Sequence, residues 1–282
     1  MKHFELISFA TADELARTVA SQWLDEIESA YRPSKSHCVA LSGGRIAQKF
    51  FASVVEQAKT RKIGDGGTPS FPANVHFFWA DERCVPPGDR ESNFCLANEL
   101  LFAPLKISKS QIHRIRGELP PDKAAALATA EILRIVPAAS PSPRREEGWG
   151  EEAVVSNSIP LAPTLSPLGQ GEGVHSLPVL DLIFLGMGED GHVASLFPGE
   201  KEAASSDNAV YRAVKNSPKP PPNRVTLGYA AIAAARQAWV LVSGAGKKAA
   251  LRESLATNGC TPLARVTKFR TQTRIFSDFS PI

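Results

Sequence analysis

Hydrophobic positions along this chain switch repeatedly between helical spacing and short continuous apolar runs. Leu15, Val19, Trp23, Leu24 and Ile27 share one face of a 3.6-residue repeat, and Thr11 followed by Glu14 forms a capping-box pattern at its start. The spacing predicts a first amphipathic helix. His37 to Leu41 then predicts a strand, Ser42-Gly43-Gly44 a turn, and Ile46 to Lys59 a helix with Phe50, Val54 and Val55 on one side. Val75 to Trp79 predicts a buried strand, Asn93 to Phe102 a helix, Gln111 to Ile115 a strand, and Asp122 to Val136 an alanine-rich helix. Further on, Leu182 to Leu185 has the length of a central parallel strand. Strands are also expected at Val210 to Val214, Arg224 to Leu227, Ala238 to Val242 and Arg274 to Phe276, with an alanine-rich helix after Leu227 and another from Lys248 to Leu255. Such alternation implies the α/β class, a mostly parallel sheet with helices on both faces in a single domain over 1–282.

One segment breaks the pattern. Between Pro137 and Pro178 there are seven prolines and five glycines in 42 residues, a density at which low complexity is the default reading. No ordinary α/β connection is that long, so the expectation is a disordered insertion at about 138–178. It carries Arg144 and Arg145 against Glu146, Glu147, Glu151, Glu152 and Glu172, a net of −3, which leaves +6 on the remainder of a chain whose total is +3.

Composition narrows the classes further. With 282 residues, 43% hydrophobic and 22% charged, the chain can bury a substantial core. Glu5 interrupts the apolar start Met1 to Ile7, and no stretch approaches the roughly 18 apolar residues of a membrane span; the expectation is a cytoplasmic protein with no membrane partner. Cys38, Cys84, Cys95 and Cys260 lack C-x-x-C spacing, which suggests buried, reduced thiols rather than a zinc site or disulfide framework. A net charge of +3 is too small and too dispersed for a nucleic-acid footprint. A small anionic substrate stays open.

Four segments stand at expected strand ends: Ser42-Gly43-Gly44, Asp81-Glu82-Arg83, the turn Gly186 to Gly191 that leads into His192, and Ser243 to Lys247. A parallel sheet brings all four to its carboxyl edge, where ligands of open α/β sheets bind. Ser42-Gly43-Gly44 leaves backbone N–H groups free at a helix start, where the helix dipole favours phosphate. The loop is neither a Walker A sequence nor a G-x-G-x-x-G fingerprint, so a nucleotide cofactor loses support. Arg224 and Lys247 are cations suited to gripping a phosphate, Arg as a fork and Lys as a point charge. Each feature alone has an ordinary alternative: a glycine turn, a solvated cation, a surface histidine, a salt bridge among Asp81, Glu82 and Arg83.

In combination, Phe78-Trp79-Ala80-Asp81-Glu82-Arg83-Cys84-Val85-Pro86 with Ser92-Asn93, Leu185-Gly186-Met187-Gly188-Glu189-Asp190-Gly191-His192 through Ser195-Leu196-Phe197-Pro198-Gly199, and Arg224-Val225-Thr226-Leu227 resemble the 6-phosphogluconolactonases of the glucosamine-6-phosphate isomerase/6-phosphogluconolactonase superfamily. Order and spacing match over nearly the whole chain outside the insertion. Related amino-sugar-phosphate isomerases follow the Asp-Gly-His turn with Asn-Glu, whereas Leu196-Phe197 stands here, which favours the lactonase. The resemblance implies a three-layer α/β/α, Rossmann-like fold and no metal or other cofactor. It also implies hydrolysis of a sugar-phosphate lactone, 6-phosphogluconolactone, in the oxidative pentose phosphate pathway. His192 matches the catalytic histidine, Ser42, Gly43 and Gly44 the phosphate loop, Arg224 and Lys247 its cations, and Asp81 and Arg83 the pair lining the sugar site, with Asp190 orienting the turn. The oxyanion is then met by N–H groups of the Gly188 to His192 turn or by Arg83. A monomer or weak homodimer is expected.

Two departures stand out. The family loop reads Ser-Gly-Gly-Ser-Thr-Pro, but here Arg45-Ile46-Ala47 follows Gly44, removing two hydroxyls and a proline; Arg45 either contacts phosphate directly or points outward. Val193 replaces a common threonine. Alternative readings are an amino-sugar-phosphate isomerase or deaminase, for which Glu189 is the nearby carboxylate, and a catalytically silent sugar-phosphate sensor.

Overall fold

The structure is a computed structural model that describes residues 4–30, 35–61, 71–138, 177–200 and 209–280. Strand β1 (Phe4–Ser8) leads to α1 (Ala12–Ala30), β2 (His37–Leu41), α2 (Arg45–Thr60), β3 (Val75–Trp79), β4 (Asp81–Arg83), α3 (Asn93–Ala97) and α4 (Pro121–Ile135). After the expected insertion come β5 (Leu182–Gly186), β6 (Tyr211–Val214), β7 (Arg224–Leu227), α5 (Tyr229–Ala234), β8 (Gln237–Val242), α6 (Lys248–Leu255), α7 (Pro262–Lys268) and β9 (Thr273–Ser277). Six strands form one parallel sheet in the order β1-β9-β8-β5-β2-β3. The other three form a small antiparallel sheet, β4-β7-β6.

Core residues follow the predicted periodicities. Leu15, Val19, Trp23 and Leu24 of α1 are fully buried, and the Trp23 ring packs on Phe50 of α2, Phe77 of β3 and Phe184 of β5 at centroid distances of 5.7, 6.4 and 5.3 Å. Successive strand side chains point to opposite faces. Phe78 therefore faces away from Trp23 and stacks on His113, with Ala128 of α4 lining the same hollow. Helices thus flank both faces, giving the three-layer α/β/α arrangement.

The expected strand at Gln111 to Ile115 does not form. A 3-10 turn, Lys109–Gln111, occupies its start, and only an isolated bridge joins Ile112 to Phe77. The Gln111 side chain donates to the carbonyls of Pro72 and Val75, both at 2.9 Å, so side-chain bonds do there what a ladder would otherwise do. The helix expected to run from Asn93 to Phe102 is α3, followed by a π-turn over Asn98–Phe102. Three elements lacked a sequence expectation: β1, β4 and α7. All four cysteines are free, but of the four expected to be buried only Cys38 is; Cys84 and Cys95 are half-buried and Cys260 is exposed.

Residues 139–176, nearly all of the expected insertion, lie outside the described residues. Its two stems are joined: Ala138 bridges Pro178, and Val179 N–H donates to the Pro137 carbonyl at 3.0 Å. Among the described residues no helix is long and apolar enough to cross a membrane.

The topology positions the site. From β2 the chain crosses to β3 on one side, whereas from β5 it proceeds to β8 on the other. The carboxyl ends of β2 and β5 therefore flank a switch point, the usual ligand crevice of such sheets. Ala80 links the two sheets, its N–H donating to Leu41 O and its carbonyl accepting from Leu227 N–H, both at 2.8 Å.

Candidate active site

A cleft of about 120 Å³ opens at that switch point. Its walls are Ser42 to Ile46, Asp81, Arg83, Asn93, Gly186, Met187, His192, Ala194, Arg224 and Lys247. All four strand-end segments singled out in the sequence thus reach one edge. Four cationic side chains but one carboxylate line the cleft, an imbalance suited to an anionic ligand.

The loop after β2 makes a bare helix start. Gly44, at φ 101°, caps α2 without any side-chain hydrogen bond, a left-handed-side conformation that L side chains rarely adopt. The first N–H groups of α2 are left without intrahelical partners. Gly43 is required for a different reason: an added Cβ would lie 1.9 Å from Asn93 Oδ1. Ser42 Oγ donates to the Phe184 carbonyl at 2.9 Å, tying the loop to β5. Arg45 is exposed. Lys247 sits across the cleft, its pKa lowered first by burial and next by the Arg45 charge. Two like charges lining one cleft beside a helix N-terminus are relieved by an anion bound there.

Asp81 and Arg83 come from β4. Asp81 is 4% exposed; its Oδ2 accepts from Ser195 Oγ at 2.7 Å and its Oδ1 from Asn93 Nδ2 at 3.3 Å. Arg83 Nη1 donates to the Glu91 carbonyl at 2.7 Å, while its buried Nε has no partner among the described residues. Glu82 between them turns inward and accepts from the N–H groups of Arg83, Asn93 and Phe94 and from Ser92 Oγ. It anchors the start of α3 rather than joining the cleft.

His192 is presented by a turn that cannot relax. An added Cβ on Gly188 would lie 2.0 Å from the ring, so the imidazole packs directly on backbone. Gly191 adopts φ 78° against Thr261, and its carbonyl accepts from Leu263 N–H of α7 at 3.1 Å. Asp190 Oδ1 lies 2.5 Å from His192 Nδ1. The carboxylate assigns the ring proton to Nδ1, leaving Nε2 as a base. Burial lowers the His192 pKa, opposed by Asp190; the Asp190 carboxyl, despite its own partial burial, is held at about 2 by the His192 contact. Three amides of the turn are already used, since Gly188 donates to His192 O, Gly191 to Gly188 O and His192 to Asp190 Oδ1.

Arg224 is 4% exposed and heavily engaged. Its Nε donates to Pro221 O at 3.1 Å, Nη2 to Lys219 O and Pro220 O at 3.2 and 2.8 Å, and Nη1 to Ser195 Oγ at 3.4 Å. All three of its nitrogens are thus engaged, although the residue still lines the cleft. Asn93, Ser195 and Lys219 were not singled out as site residues by sequence reasoning. Asn93 and Ser195 stood within the motifs that carry the resemblance, with no role of their own assigned; Lys219 had no signal, because its partners are distant in the chain.

Known proteins resemble this chain in sequence and in fold. The family described as glucosamine-6-phosphate isomerases/6-phosphogluconolactonase matches residues 10–275. A 6-phosphogluconolactonase of Mycobacterium tuberculosis is 32% identical over 250 residues, covering 82% of this chain and 86% of the relative. One of Treponema pallidum is 29% identical over 253 residues, covering 90% and 85%. The crystal structure of devB protein superposes with a TM-score of 0.72 at 27% identity, covering 97% of this chain and 96% of that one. With the matched region running from the first helix to the last strand and enclosing every wall of the cleft, this chain belongs to the glucosamine-6-phosphate isomerase/6-phosphogluconolactonase family.

Proposed function

We propose that this protein hydrolyses 6-phospho-D-glucono-1,5-lactone to 6-phospho-D-gluconate, the lactonase step of the oxidative pentose phosphate pathway, with His192 as the proton-transfer group. The curated relatives named above, both 6-phosphogluconolactonases, support the reaction. The observation that carries the mechanism is the Asp190–His192 pair opening onto a cleft with surplus positive charge.

A lactone is an activated ester, so no covalent enzyme intermediate is needed. The substrate phosphate lies at the bare start of α2, held by the Gly43–Gly44 amides, Lys247 and Arg45, with Ser42 fixing the loop and Arg224 at the edge. Anchoring this remote group fixes the lactone carbonyl near His192. Nε2 takes a proton from water as the water oxygen bonds to the carbonyl carbon; the tetrahedral intermediate then breaks its bond to the ring oxygen, which receives the proton back from the imidazolium. Asp190 holds the tautomer. With three turn amides occupied, the Arg83 guanidinium, which lines the cleft, is the better oxyanion donor, and Asp81, fixed by Ser195 and Asn93, meets the sugar hydroxyls. Glu189, the carboxylate considered for an isomerase, lies instead beside Gly246, where an added Cβ would meet it at 3.0 Å.

The test is hydrolysis of freshly generated lactone near pH 6.5 against the spontaneous rate. His192→Ala should lose about 100-fold or more of the catalysed rate while still binding 6-phosphogluconate in calorimetry. Wild-type turnover in that variant refutes the histidine mechanism; no acceleration by the unaltered protein, with product still bound, favours the sensor.

A further inference from the structure

One cation at the site belongs to neither the phosphate loop nor the sugar wall. Lys219 projects from the loop between β6 and β7, and its Nζ lies 3.2 Å from Asp190 Oδ2 and 3.3 Å from His192 Nδ1. Asp190 thus has one oxygen toward the imidazole and the other toward the ammonium. Because Nδ1 carries the proton given to Asp190, the ammonium does not donate to the ring. It sits beside the ring as a fixed positive charge.

The loop that carries Lys219 is built to stay in place. Ser217 N–H donates to Pro222 O at 2.8 Å, closing the loop, and Ser217 Oγ donates to Lys219 O at 2.9 Å. The carbonyls of Lys219, Pro220 and Pro221 all converge on the guanidinium of Arg224. That guanidinium is itself buried, over the Phe197 ring at 5.6 Å, and Phe197 also packs on His192 at 4.9 Å. One arginine therefore holds the lysine loop from below, and one phenylalanine touches both the arginine and the histidine.

Building on the lactonase reading, we propose that Lys219 is a positioning residue of the Asp190–His192 pair, held against it by Arg224 through the three loop carbonyls. Sharing the carboxylate between two donors fixes its plane and so the imidazole. The charge has a second effect with a definite sign. Asp190 and, at longer range, Asp81 favour the imidazolium, whereas burial and Lys219 oppose it. The ammonium keeps His192 in its neutral, basic form as the pH falls. It also makes the imidazolium formed during turnover a stronger acid toward the departing ring oxygen.

The experiment compares Lys219→Met, Lys219→Gln and Lys219→Arg with the unaltered protein in two readouts. One is the pH profile of kcat/KM for the lactone, the other the NMR titration of the His192 ring without substrate. Lys219→Met and Lys219→Gln should both move the acid limb and the ring titration to higher pH. The rate should drop roughly tenfold at pH 6 but little at pH 7.5, with KM and 6-phosphogluconate affinity nearly unchanged. Lys219→Arg should restore the limb. An unmoved titration in both uncharged variants overturns the proposal, as does a raised KM with unchanged kcat, which would make Lys219 a phosphate ligand. If the unaltered protein does not accelerate hydrolysis, the lactonase reading fails, yet the ring titration still decides whether Lys219 governs His192.

Discussion

Gly188 shows how little tolerance the site has at the scale of one residue. Its missing side chain is the space that the His192 ring occupies, with Cε1 and Nδ1 both 2.0 Å from where a Cβ would stand. Gly188→Ala should leave the protein folded, as judged by circular dichroism, and lower the catalysed rate about 100-fold through displacement of the ring; a rate within twofold of the unaltered enzyme would show that the ring is free to shift. The sequence displayed this glycine and His192, because a glycine-rich turn after an apolar run is a local pattern. It could not display what Lys219 and Ser195 contact, since they reach their partners across 27 and 114 positions. It also made Arg224 look like a free fork, when most of its donors serve the neighbouring loop.

At the scale of elements, α7 buttresses the His192 turn through Leu263 N–H to Gly191 O. Thr261 caps this helix, accepting from Ala264 N–H at 3.1 Å and bonding Ser254 Oγ at 2.6 Å. Thr261→Ala should cost about 1 kcal/mol in urea unfolding and reduce kcat as the turn loosens; unchanged stability would remove α7 as the buttress. The Thr-Pro pair at its start was a legible helix signal, although the helix was too short for periodicity to mark it. A second device joins β3 to α4. His76 Nδ1 and His113 Nε2 are 2.9 Å apart, and His113 Nδ1 lies 2.9 Å from Glu131. Burial lowers both histidine pKa values, in His113 against the pull of Glu131. Folded-state values below the unfolded value of 6.5 mean that the unfolded chain binds more protons as pH falls. Their contribution is full above 6.5 and is lost through the lowered folded values. The thermal midpoint should therefore fall on acidification below about pH 6.5, less steeply in a His76→Gln, His113→Gln variant; equal slopes would show that the pair does not titrate with unfolding.

For the whole molecule, the joined stems at Ala138 and Pro178 mean that the body is continuous without the segment between them. Replacing 139–176 by a short glycine-serine linker should give soluble protein with kcat/KM within about twofold of the full chain, because closing a shorter loop costs little; inactive or insoluble protein would make the segment part of the working fold. Local patterns in the sequence determined the α/β class, most strands and helices to within a residue or two, the four strand-end segments and the catalytic candidate, since burial periodicity and turn chemistry are written over a few neighbouring residues. The tertiary structure decided the strand order that brings β2 and β5 together, the second sheet that delivers Asp81 and Arg224, and the failure of Gln111 to Ile115 to extend the main sheet. It also decided which charges face His192. Those outcomes depend on contacts between segments far apart in the chain, and such contacts leave no periodic trace in either segment alone.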